Sequence, residues 1–189
     1  MAQTYKMSRI VKESLPILLS ILGFSLFTGH NLGTALNIFV TQFPFLIIMV
    51  PAFINMAGGF ASVFAARITS RLLLGELDRK YRPYGILFSD LIGLTLVALT
   101  GFIVLSLITF GINAVFFGIE VSLFALFVII LVSGIFTTIL MCGIGLFVAY
   151  MVVRKKLDPD NFTPPIITTL GDAVGTLLLV FLIRMILVP

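Results

Sequence analysis

Two aspartates stand inside long apolar runs, Asp90 in LFSDLIGLTL and Asp172 in TLGDAVGTLL. An ionisable side chain within a membrane span costs at least about 2.5–3.5 kcal/mol, so each needs a function or a partner. The two sites share a pattern, Asp-x-(Ile/Val)-Gly followed by a Thr/Leu-rich stretch. Asp90 lies seven residues after Pro83, and Asp172 seven after Pro165. Proline suits the first turn of a helix. If both helices begin at those prolines, each carboxylate sits about 10 Å inside its helix start. Two acids at one depth would form a candidate cation site. The other reading for each acid is a packing bond to a neighbouring helix. Arg184 is a poor partner for Asp172, because twelve residues of one helix separate them by about 18 Å.

Other oxygen donors surround these positions. Thr168 and Thr169 stand four and three residues before Asp172, on the same face of a helix. Hydroxyls and a carboxylate are hard ligands that suit a hard cation. Threonine in a helix also bonds back to its own carbonyls, which is the simpler use for either side chain. In FPFLIIMVPAFINMAGGFASVFAARITSRLLLG, Pro51 frees a carbonyl, Asn55 offers an amide and Gly58-Gly59 permits close backbone approach. These features serve either a water-lined cavity or tight packing through small residues from Gly58 to Ala66. His30, Thr34 and Asn37 form a polar stripe at i, i+4 and i+7, suited to gluing two helices or lining a vestibule. Arg67 and Arg71, one turn apart, mark a helix end.

Covalent chemistry finds no foothold. Cys142 is the only cysteine and His30 the only histidine, which excludes a disulfide framework and a Cys- or His-based metal site within one chain. No nucleophile–base arrangement and no phosphate-binding loop is present, so no enzyme, no catalytic residue and no bound cofactor is expected. The net charge of +4 comes from short basic clusters beside apolar runs, a topology signal rather than a nucleic-acid surface.

The elements that must carry these residues are membrane helices. The 189 residues are 60% hydrophobic and 11% charged, against roughly 45–50% and about 25% in soluble domains. A water-soluble fold could not cover that apolar surface. Spanning the hydrocarbon takes about 20 apolar residues, and five stretches qualify, at about 15–40, 43–74, 84–112, 119–152 and 164–188. Strands are excluded by length. The fold class is therefore all-α and polytopic, a single domain over 1–189. The basic start, MAQTYKMSRIVKESLP, reads as the lead of a retained first helix, since no small-residue cleavage site follows a short apolar core. Lys6, Arg9 and Lys12 precede helix 1. Arg67, Arg71, Arg79, Lys80 and Arg82 surround the helix 2–3 connection, and Arg154, Lys155 and Lys156 follow helix 4. The opposite connections, around 39–44 and 111–120, hold no lysine or arginine. The N-terminus is thus expected in the cytoplasm and the C-terminus outside, with Arg184 snorkelling to the outer interface.

The string PAFINMAGGFASVFAARITSRLLLGEL resembles the second helix of the MgtE and solute carrier family 41 magnesium transporters, and DPDNFTPPIITTLGDAVGTLLLVF resembles their last helix and the loop before it. With the five-span plan the likeness covers nearly the whole chain. It implies a divalent-cation transporter or channel, chiefly for magnesium, with manganese and other divalent ions possible, working as a homodimer with the pore between protomers. By that likeness Asp172 is the central pore ligand, assisted by the main-chain carbonyl of Thr168. Asp90, Thr169, Asn55, Gly58 and Gly59 complete the candidate cation site. Two Asp172 side chains facing each other across a dimer axis would hold a hydrated magnesium, an ion that dehydrates reluctantly. One departure is Phe60, where the family commonly has asparagine after Gly-Gly. Another is the lack, within these residues, of the cytoplasmic domains that gate bacterial MgtE.

The sequence thus reads as a multi-pass protein of the cell membrane that moves magnesium or a related divalent ion. Its expected partners are the bilayer, the cation and a second copy of itself, and no nucleic acid. The rivals are a proton-coupled transporter of another solute, with the aspartates as relay groups, and a non-transporting subunit whose acids only set packing. The acidic connection Asp158, Asp160, Asn161 reads as a solvated turn or as a collector of cations.

Overall fold

A computed structural model describes residues 7–77 and 83–188; Lys6 and the basic residues Arg79, Lys80 and Arg82 lie outside them. Every regular element among the described residues is helical: α1 Met7–Thr41, α2 Phe45–Leu73, α3 Pro83–Ile112, α4 Leu123–Arg154 and α5 Pro159–Leu187. All five are long and apolar enough to cross a membrane. In hydrocarbon each backbone N–H and C=O must find a partner inside its own segment, which the helix provides.

The connections are tight where the sequence is apolar. Gln42 and Phe43 N–H both donate to the carbonyl of Ile38, at 3.0 and 3.1 Å, and Pro44 then leads into α2. α3 widens into a π turn over Asn113–Phe117 that closes at Gly118. There φ is 62°, and the Gly118 N–H donates to Asn113 O at 2.7 Å. That left-handed backbone is where glycine carries no Cβ penalty. The Asn113 amide reaches on to Ile119 O at 2.8 Å and fixes the loop into α4.

α2 touches α3, α4 and α5, and α4 and α5 pack on each other. α1 lies almost wholly against α5 and keeps most of its surface outward. The core between α2, α3, α4 and α5 is built on Phe45, Phe53, Phe102, Leu126, Ile129 and Leu179. Phe102 is seated over Gly134, where an added Cβ would fall 2.6 Å from its ring. Toward the other end the packing turns small. Ala61, Ala65 and Gly145 bring α2 and α4 together, a Cβ at Gly145 standing only 3.1 Å from that of Ala65. Without a hydrophobic force between helices in lipid, such close van der Waals approach is what holds a bundle.

The membrane-crossing part of α1, Ser14–Thr41, matches the span expected at about 15–40, and the helix itself runs back to Met7. One expectation needs correction: α5 begins at Pro159 and carries Pro164 and Pro165 inside it. Asp158-Pro159 supplies an acid just before the helix and a proline at its first position, the stronger start signal. The two internal prolines lack an N–H, so the carbonyls of residues 160 and 161 have no helical donor. Asp172 is therefore thirteen residues, about 20 Å, into its helix, while Asp90 is seven residues, about 10 Å, into α3.

Candidate cation site

The site forms where α5 crosses α2 at glycine. A Cβ added to Gly58 would lie 2.7 Å from Asp172 Oδ1 and 3.1 Å from the carbonyl oxygen of Thr168. A Cβ added to Gly171 would lie 2.9 Å from Gly58 Cα. The two backbones are in direct contact, and the Asp172 carboxylate lies over α2 in the space that a side chain at 58 would fill. Gly171 and Gly175 are spaced as in the small-xxx-small pattern of membrane helix pairs. A Cβ added to Gly175 would lie 3.4–3.5 Å from Phe53, Ala57 and Thr137.

No hydrogen bond or ion pair to another described residue engages the Asp172 carboxylate, and its side chain is half-buried. The Thr168 hydroxyl is used locally, donating to Pro164 O at 2.9 Å, so only its main-chain carbonyl faces the crossing. Thr169 points elsewhere. It lines a groove of about 390 Å³ between α1 and α5, beside Ser20, Phe24 and Phe162.

Beside the crossing, the outward face of α2 has an unusual composition. Asn55, Gly59, Ser62, Ala66 and Ser70 recur at helical spacing and form one stripe. Asn55, Ala66 and Ser70 are exposed, and nothing approaches Gly59 within 4 Å. The outward faces of α3 and α4 carry large apolar residues such as Phe88, Leu96, Phe124 and Phe147, while α1 also exposes Gly29, His30, Gly33 and Asn37. The missing asparagine of the family pattern finds its reason in the packing. Phe60 is turned toward α3, its ring edge-on to Phe102 at 5.7 Å and 85°.

Asp90 does not stand with Asp172. Its carboxylate is held by two arginines of α2. Arg67 Nη2 donates to Oδ1 at 2.7 Å, and Arg71 reaches Oδ2 through Nε at 2.8 Å and Oδ1 through Nη2 at 3.2 Å. These arginines are nine and thirteen residues beyond Gly58, about 14 and 20 Å along α2. The expectation of a pair of acids at one depth is thus overturned, and Arg67 and Arg71 do more than end a helix. Among the described residues, no three of His, Cys, Asp and Glu gather in one place. Among the described residues, one carboxylate, that of Asp172, stands at the α2–α5 crossing.

Residue-by-residue reading missed Gly171, which only a search for small residues four apart would have found. It also missed Thr137 and Thr176, fully buried with hydroxyls that lack a partner within the described residues. Of the helix 1 stripe, Thr34 makes an interhelical bond. Arg184 Nη2 donates to its carbonyl at 3.0 Å and its hydroxyl at 3.2 Å, tying α5 to α1. His30 and Asn37 are exposed.

Five helices long and apolar enough to cross a membrane define a multi-pass membrane protein, two of them crossing on glycine beside a carboxylate without a partner among the described residues. The chain belongs to the MgtE family of divalent cation transporters, whose family model matches residues 50–182, from within α2 to near the end of α5. A search of curated proteins gave no match.

Proposed function

We propose that the protein moves magnesium, or a related divalent cation such as manganese, across the cell membrane along a path between two copies of the chain, with Asp172 as its ligand. The observation that carries this reading is the Asp172 carboxylate, without a partner among the described residues, over Gly58 and beside an outward stripe of Asn55, Gly59, Ser62 and Ala66. Small residues there permit close helix approach, and a second copy laid on the stripe would bring two Asp172 groups toward one axis. One or two carboxylates plus retained water suit magnesium, which resists dehydration. The Thr168 carbonyl and the Asn55 amide would add uncharged oxygens or bridge through water. Gly58 and Gly59 keep the α2 backbone bare at that level.

With the N-terminus in the cytoplasm, the basic ends of α2 and α4 lie on the inner side, in keeping with the charge asymmetry of the connections. Magnesium uptake into proteoliposomes tests the function. Uptake that Asp172→Asn abolishes in a still-folded protein supports it, and uptake unchanged by that substitution sinks it.

A further inference from the structure

Asp90 is the only charged residue of α3, and its side chain is 5% exposed. Its Oδ1 accepts hydrogen bonds from both arginines, and Oδ2 lies in ion-pair contact with Arg71 Nε at 2.8 Å. Arg71 also reaches Glu76 through Nη1 at 3.3 Å, and Arg67 caps Oδ1 at 2.7 Å. Charge-assisted hydrogen bonds of this kind are stronger than neutral ones. A cation could coordinate Asp90 only by displacing two guanidiniums. At about 100° per residue, Arg67 and Arg71 sit on the side of α2 opposite Gly58. The clasp therefore grips α2 from behind, while Asp172 lies over its front.

We infer that Asp90 is a positioning residue: by neutralising Arg67 and Arg71 it fastens α2 to α3 and so seats the Gly58 surface against α5. The group formed by Asp90, Glu76, Arg67 and Arg71 sums to zero charge. Without Asp90 the two guanidiniums lose their counter-ion, a loss that falls chiefly on Arg71, 26% exposed, since solvent screens the more exposed Arg67. It would also leave uncompensated positive charge on the helix that borders the ion path, repelling a divalent ion twice as strongly as a monovalent one. The flux consequence rests on the transport reading above; the stability consequence does not.

The test compares the parent, Asp90→Asn and the triple variant Asp90→Asn/Arg67→Gln/Arg71→Gln for melting temperature in detergent and for magnesium flux. The single variant is expected to melt lower and to lose at least about tenfold in flux. The triple variant, with no orphaned charge, recovers the melting temperature and brings flux back to within about threefold. A triple variant that melts like the parent yet stays inactive would overturn the inference and make Asp90 a ligand. A single variant that melts and transports like the parent would overturn it too. If the parent carries no divalent ion, the transport reading fails, and the melting comparison alone decides the clasp.

Discussion

Asp172 and Gly58 share one volume: Oδ1 of the carboxylate lies 2.7 Å from the point that a Cβ on residue 58 would occupy. Gly58→Ala must therefore move either the carboxylate or the whole of α5. The obstacle on the other side is the backbone of Thr168 at 3.1–3.3 Å, which cannot swing away as a flexible side chain would. Overpacking of this kind costs typically about 1–3 kcal/mol. Gly58→Ala is expected to melt lower and to lose most magnesium flux, whereas Gly59→Ala, where nothing lies within 4 Å, should keep its stability. Equal melting of the two variants would show that the crossing is looser than described.

The two arginines of the clasp are not equivalent. Arg71 touches both oxygens of Asp90 and is 26% exposed, while Arg67 makes one bond and is 58% exposed. Solvent screening discounts the more exposed pair. Arg71→Gln is expected to lower the melting temperature clearly more than Arg67→Gln, by a margin worth about 1 kcal/mol. The reverse order in a thermal melt would contradict the geometry.

Phe60 fills a place where the sequence pattern of the resembling family has asparagine, yet its ring is packed edge-on against Phe102. Edge-to-face ring pairs contribute about 0.5–1.5 kcal/mol beyond simple packing. Phe60→Asn should therefore destabilise the protein without raising magnesium flux. A gain in flux would mean that this position faces the ion path after all.

Arg184 joins α5 to α1 through Thr34 at an exposed site. Exposed bonds of this sort contribute little, so Arg184→Gln is expected to change stability by less than about 1 kcal/mol. Its readout is local: faster hydrogen exchange or easier proteolysis of α1, with the α2–α5 crossing unaffected.

Much of the fold could be read from the sequence because a bilayer sets lengths. Runs of apolar residues bounded by basic clusters mark five helices, and the apolar excess leaves no soluble alternative. Asp172 stood out for the same reason, since an acid is costly there. What could not be read is which helix faces which. The partners of Asp90 lie 19 and 23 residues earlier on another helix, so its ion pairs exist only once α2 and α3 have packed. The start of α5 was misplaced because three prolines, Pro159, Pro164 and Pro165, each offer a first-turn signal. The helix starts at the first of them, and the six extra residues put Asp172 thirteen residues into α5 against seven for Asp90 in α3. Thr168 and Thr169 share a face with Asp172 on a helical wheel, yet one hydroxyl is turned to the Pro164 carbonyl and the other side chain to α1. Spacing along a helix fixes a side chain's sector but not its partner.

The reading that two chains make one site is tested most directly by mixing. Parent and Asp172→Asn protein, separately tagged, are combined in defined ratios before refolding or co-expressed, and magnesium flux is measured in proteoliposomes. If each path needs Asp172 from both chains, flux falls as the square of the parent fraction, so that an equal mixture keeps about a quarter of the parent activity. Flux that falls in simple proportion, keeping about half, would place a complete path within each chain and contradict the shared site.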